Sequence, residues 1–215
     1  MIRLYLILVL VIPLIHGFAQ SNPPPGGPNK KSPPYLIANQ FEHLSVKDGL
    51  STNSVTDILQ DREGFLWFGT PDGLNKYDGY SFTVLQQDPN KPDSSLRSNS
   101  ITAIYEDRSG KLWVTTESGV IAGGGGLHQV DKRTGTATPV PMKVPSEEWK
   151  QTRGIYEDHQ GVLWIGSWAG LICYNPHTGN YKLYPTPQKK IFILCSLEDA
   201  QHQIWVGTSN GLYRF

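Results

Sequence analysis

The chain has 215 residues, with 19 Lys and Arg against 19 Asp and Glu, so its net charge is zero with histidine neutral. That balance leaves no electrostatic footprint for nucleic acid, and the pairs Lys30-Lys31 and Lys189-Lys190 make no basic patch. The chain is long enough for one all-β domain and too short for several.

Met1 to Gln20 opens with Arg3, runs apolar from Leu4 to Ile15 and ends on Gly17-Phe18-Ala19. A positive start, a short apolar run and small residues at the end make residues 1–19 a secretory signal peptide, cleaved after Ala19. The apolar run, about twelve residues, is short for a bilayer, so a retained membrane anchor is the lesser alternative. Residues 20–38 form a Pro/Gly-rich spacer, since Ser21 to Pro34 holds six prolines and two glycines in fourteen residues and has nothing to bury. No later apolar run reaches membrane-spanning length.

From residue 39 to 215 the chain repeats itself four times. Asp61, Asp107, Asp158 and Asp199 lie 46, 51 and 41 residues apart. Each is followed six residues later by a tryptophan (Trp67, Trp113, Trp164, Trp205) and twelve later by a glycine (Gly73, Gly119, Gly170, Gly211). A period of this length points to a solenoid or a propeller. Within a copy, a β-branched and aromatic segment such as Ile101 to Glu106 makes strand A. Asp-x-x-Gly then turns the chain, with Gly64, Gly110 and Gly161 in three copies and His202 in the fourth. Leu-Trp-Val/Ile/Phe is strand B, Gly-Leu-x-x-Tyr opens strand C, and an aromatic segment such as Tyr80 to Leu85 is strand D. The fold class is therefore all-β: propeller blades built as four-stranded antiparallel meanders, over about 54–85, 100–140, 152–184 and, incomplete, 191–215. In the second copy strand C restarts at Gly126-Leu127, seven residues after Gly119-Val120.

These copies resemble the two-component regulator propeller repeat of periplasmic sensors in hybrid histidine kinases. The likeness rests on Phe41 to Asn53 (FEHLSVKDGLSTN), Val55 and the run GFLWFGTPDGLNKYDGY. The resemblance implies a larger ring continued by more blades, a small β domain, a membrane helix and kinase modules, with a homodimer in the parent. It also implies a periplasmic or extracellular place and a carbohydrate ligand. On that reading the chain is a partial propeller. The alternative is a closed four-bladed ring, in which Phe41 to Val46 adds a sixteenth strand beside strand C of copy four.

No catalytic, metal or cofactor motif stands out, and the Gly123 to Gly126 run lacks the Lys-Ser/Thr of a phosphate loop. The recurring Asp and Trp residues read as architecture: turns and inter-blade core. Function is sought where the repeat breaks. The B–C and D–A loops leave the sheet at one face, and there Trp149, Trp168 and Arg153 belong to no repeat position, so they are the candidate ligand-binding residues. Exposed indoles beside an arginine suit stacking on sugar rings or partner side chains, unless both fold back onto blade 3. Cys173 and Cys195 either bridge blades 3 and 4 or sit as small buried side chains. Three function classes follow: a ligand-sensing module, a protein–protein scaffold, or a propeller enzyme acting on carbohydrate. The resemblance favours the first, with no enzymatic activity of this chain's own.

Overall fold

The structure is a computed structural model that describes residues 42–117, 125–186 and 191–215. The signal peptide, the spacer and residues 39–41 lie outside these residues, as do Gly119, Gly123 and Gly124.

Among the described residues there are fifteen strands in four sheets. Blade 1 is β1 (Asp57–Gln60), β2 (Leu66–Thr70), β3 (Gly73–Tyr77) and β4 (Phe82–Leu85). Blade 2 is β5 (Ile101–Glu106), β6 (Leu112–Thr116), β7 (Gly126–Val130) and β8 (Ala137–Pro139). Blade 3 is β9 (Thr152–Glu157), β10 (Leu163–Ser167), β11 (Gly170–Tyr174) and β12 (Tyr181–Pro185). Blade 4 is β13 (Ile193–Glu198), β14 (Ile204–Thr208) and β15 (Gly211–Arg214). Each sheet keeps sequence order and antiparallel pairing, as a meander must.

The Asp-to-Trp spacing becomes one hydrogen-bonded unit in all four blades. In blade 1, Asp61 Oδ1 accepts the backbone N–H groups of Glu63 and Phe65, each at 3.0 Å, while Trp67 Nε1–H donates to Asp61 Oδ2 at 2.8 Å. Trp113, Trp164 and Trp205 donate in the same way to Asp107, Asp158 and Asp199, at 2.7, 2.7 and 2.6 Å. A carboxylate that closes the A–B turn with one oxygen thus aims the indole of strand B with the other. The pairing is charge-assisted and largely dry, which strengthens it.

Those indoles fill the gaps between sheets. Trp67 packs with Ile101, Ile104, Leu112 and Val114 of blade 2. Trp113 packs with Leu163 and Ile165 of blade 3, and Trp164 with Ile193, Ile204 and Val206 of blade 4. Burying one indole removes roughly 200 Å² from water, worth about 5 kcal/mol before entropy is charged against it. Among the described residues no sheet packs beyond Trp205, which is only half-buried. Strand B comes so close to the next strand A that a Cβ on Gly69 would sit 2.8 Å from Ile101 Cγ2, and one on Gly166 2.7 Å from Ile193 Cγ2.

The arc is open at both sides. Ile58 on blade 1 and Leu197 and Leu212 on blade 4 are 61, 59 and 65% exposed, on faces that in the inner blades are covered. The sixteenth strand of the closed-ring alternative is not seen among the described residues: residues 42–45 pair with no strand, and Val46–Asp48 is a 3₁₀ turn. The reason is local. Ser45 and Asp48 make a reciprocal capping box, in which Ser45 N–H donates to Asp48 Oδ2 at 2.8 Å. The lead-in then docks on blade 1, where Ser51 N–H donates to buried Asn75 Oδ1 at 2.9 Å and Leu50 is buried.

Strand C of blade 2 starts at Gly126, which pairs with Thr116 as Gly73 pairs with Thr70 and Gly211 with Thr208. The role expected of Gly119 therefore falls to Gly126. Cys173 and Cys195 are both free; Cys173 is half-buried and Cys195 exposed, so the second is not the buried apolar side chain expected.

Candidate ligand face

The loops that break the repeat gather where strand D hands over to the next strand A. One such connection joins β8 to β9 through residues 140–151, and it carries no blade periodicity. Val140, Met142 and Val144 pack on the core between blades 2 and 3, and a 3₁₀ turn, Glu147–Lys150, ends the segment. Tyr181 fastens it: its hydroxyl accepts the Lys143 N–H at 2.7 Å and donates to the Lys143 carbonyl at 3.1 Å.

Folded this way, the connection roofs a cavity of about 480 Å³ between blades 2 and 3. Its walls include Trp149, Tyr181, Leu127 and Ile172, with Arg97, Lys143 and Lys150 as the charged groups. A mostly apolar hollow with a few polar groups at its edge is the usual form of a small-molecule site. Lys150 is partly engaged, 2.9 Å from Glu147.

The three candidate residues separate here. Trp149 is not an exposed platform: only 6% of it is accessible, and its indole belongs to the core between blades 2 and 3 while forming one wall of the cavity. A tryptophan on a 3₁₀ turn beside an apolar inter-blade gap gains more by entering that gap than by facing water. Trp168, on the β10–β11 loop, is half-buried, its ring 4.7 Å from that of Phe192 at 43°, with its backbone N–H on Gln151. Arg153 is exposed and pairs with Glu117 at 3.0 Å. Trp168 and Arg153 thus present groups to solvent, and Trp149 shapes a cavity.

Beneath this face, His128 on β7 is wholly buried, and its Nε2 accepts the Arg97 backbone N–H at 3.1 Å. Its Nδ1 has no partner among the described residues. Burial pushes its pKa from the ordinary 6.5 down to about 4, so the imidazole is neutral at pH 7.

At the opposite face the A–B turns are joined from blade to blade by contacts the sequence reading did not anticipate. The Arg62 N–H donates to Glu106 Oε2 of blade 2 at 2.9 Å, and the Arg108 N–H donates to Glu157 Oε2 of blade 3 at 2.9 Å. The His159 N–H donates to Glu198 Oε2 of blade 4 at 2.7 Å. The residue after each aspartate is thereby tied to the residue before the next one. Lys132 adds to the first joint, lying 2.8 Å from Glu106 and 3.0 Å from Glu63. Each of these glutamates thus has one oxygen, Oε2, held by a backbone N–H of the preceding blade.

The profile of the two-component regulator propeller matches the chain three times, over residues 49–72, 95–118 and 149–169. Each match runs through strand A, the Asp turn and strand B. Three of the four blades therefore carry a segment similar to that repeat. A histidine kinase, P4, of Formosa agariphila is 48% identical over 54 residues, which is 25% of this chain and 4% of that protein. The extracellular domain of BT4673 from B. thetaiotaomicron, assigned to a one component system, superposes with a TM-score of 0.62 at 25% identity, covering 75% of this chain and 21% of that one. That of BT3049 from the same organism, assigned to a hybrid two component system, gives a TM-score of 0.52 at 27% identity, covering 81% and 30%. The chain described here therefore spans under a third of each relative's length. No helix among its described residues is long and apolar enough to cross a membrane.

Proposed function

We propose that this chain is the ligand-sensing propeller region of an extracytoplasmic two-component sensor, and that its ligand is a carbohydrate. The signal peptide of residues 1–19 carries it out of the cytoplasm to the periplasm or beyond. The apolar faces at Ile58 and at Leu197 and Leu212 are covered in the parent by further blades of a longer chain, and membrane and kinase modules transmit the signal from a homodimer. The chain itself catalyses nothing and needs no cofactor.

The observation that carries the ligand reading is the 140–151 connection. It lies largely outside the repeat, and it roofs a cavity walled by Trp149 and Tyr181 and edged by Arg97, Lys143 and Lys150. Aromatic faces beside hydrogen-bond donors are what a sugar ring needs: C–H groups stack on the rings and hydroxyls take the donors. Trp168 and Arg153 extend the same loop face toward blade 4.

Calorimetric titration of the purified chain with oligosaccharides from plant and algal polysaccharides tests the reading. Trp168→Ala, Arg153→Ala and Lys143→Ala are expected to weaken binding of the oligosaccharide that wild type takes up. Unchanged affinity in all three discards the assignment of this face, and a chain that binds no oligosaccharide discards the carbohydrate.

A further inference from the structure

We infer that His159, Glu198 and His202 form a binding site for a divalent transition-metal ion of the zinc type, at the joint between blades 3 and 4. The site lies on the turn side, opposite the cavity, and does not depend on the sensory reading.

Two departures from the repeat meet there. The position after the aspartate is arginine in the first two copies, Arg62 and Arg108, each with its guanidinium Nε 4.0 Å from the glutamate of the next blade. In the third copy it is His159. The turn glycine of the first three copies, Gly64, Gly110 and Gly161, becomes His202 in the fourth. His202 holds φ +62°, and among the described residues no other non-glycine has a positive φ. A side chain there costs roughly 1 kcal/mol that glycine avoids. The two histidines come from different blades and different columns of the repeat, yet they flank one carboxylate.

Glu198 sits between them. Its Oε1 lies 3.0 Å from His202 Nδ1 and makes a short contact with His159 Nδ1, while its Oε2 is held by the His159 backbone N–H at 2.7 Å. The imidazole centroids are 3.9 Å apart. One ligand atom from each residue falls within 4.8 Å of the others. The histidine side chains are 41 and 60% exposed and Glu198 only 6%, so the carboxylate is fixed while the rings remain open to solution.

Two imidazole nitrogens and one carboxylate oxygen are a ligand set that suits Zn²⁺ and leaves a position for solvent. The backbone N–H on the second oxygen of Glu198 is the outer contact that orients such a carboxylate. Gln160 Nε2 lies 3.3 Å from His159 Nε2. With a metal on Nδ1 that nitrogen carries hydrogen, and a flipped amide accepts from it. A metal here would fasten blade 4, whose Trp205 and Asp199 are the least covered of the four pairs, to blade 3.

The test uses the full chain stripped of metal, titrated with Zn²⁺ by calorimetry and with Co²⁺ by visible absorption. His159→Arg and His202→Gly each restore the residue that other copies carry, so neither threatens the fold. Wild type is expected to take up a single high-affinity Zn²⁺ and to melt at a higher temperature with it; both variants are expected to lose the binding and the thermal shift. Binding that survives in both variants belongs to other histidines or to the free thiols of Cys173 and Cys195, and overturns the assignment. So does a wild-type chain that binds neither ion, which would leave a hydrogen-bonded His-Glu-His cluster.

Discussion

Truncating Trp113 and truncating Trp205 are the same chemical change at the same repeat position, and the structure assigns them different costs. Trp113 is 1% exposed; its ring meets Tyr174 of blade 3 edge-on at 5.8 Å, and its Nε1–H holds Asp107 at 2.7 Å. Trp113→Ala empties an indole-sized space between two sheets, which costs about 3–5 kcal/mol. It also leaves Asp107 Oδ2 without its donor in a buried place, for about 1–3 kcal/mol more. Trp113→Phe separates the two, because the ring is largely kept and the donor lost, so about 1–3 kcal/mol is expected from that variant alone. Trp205 makes the same bond to Asp199 at 2.6 Å, but both residues are only half-buried. Trp205→Ala should therefore cost about 1–2 kcal/mol, within the range of ordinary substitutions. Urea unfolding followed by far-UV circular dichroism measures all three without relying on tryptophan emission. Equal losses at positions 113 and 205 would refute the claim that the indoles act by joining one sheet to the next.

Two further outcomes follow from named groups. His128 has its pKa depressed to about 4 by burial, so the unfolded chain binds its proton first as the pH falls below 6.5, and the native state loses stability from there down to about pH 4. A shift of this size corresponds to roughly 3 kcal/mol, which should appear as the difference in acid sensitivity between wild type and His128→Gln in urea titrations from pH 7.5 to 4.5; identical pH profiles would exclude it. Gly170→Ala should abolish folding of blade 3, since a Cβ there would lie 2.1 Å from the Tyr184 carbonyl oxygen, whereas Gly64→Ala meets no atom within 4 Å. The second substitution should cost only the roughly 1–2 kcal/mol of a positive φ, and a thermal melt of each variant checks the contrast.

Much of the architecture was legible because it is periodic. The Asp-to-Trp spacing of six residues is short enough for the two ends of one turn to find each other, and the sequence shows it four times. The restart at Gly126-Leu127 could be read because Gly-Leu recurs at the head of strand C. The lead-in was ambiguous for a physical reason: Phe41 to Val46 has strand composition, but Ser45 and Asp48 cap a turn instead, and the chain then spends its polar groups on Asn75 and Thr70. Trp149 was ambiguous for another reason. Its segment has no period, so nothing in the sequence says which way the indole points; apolar Val140, Met142 and Val144 around it were the available hint. The joints at Glu106, Glu157 and Glu198 escaped notice because their partners lie in the preceding copy. A glutamate in one column and a backbone N–H in another leave no mark that a single repeat can display.

Those joints make assembly directional. A finished turn offers a backbone N–H outward, and only the sheet synthesised after it brings the carboxylate that accepts it. Each newly made blade therefore arrives with the group its predecessor lacks. A ring of this kind can be lengthened by copying one unit of about 46 residues, without devising a new way to attach it.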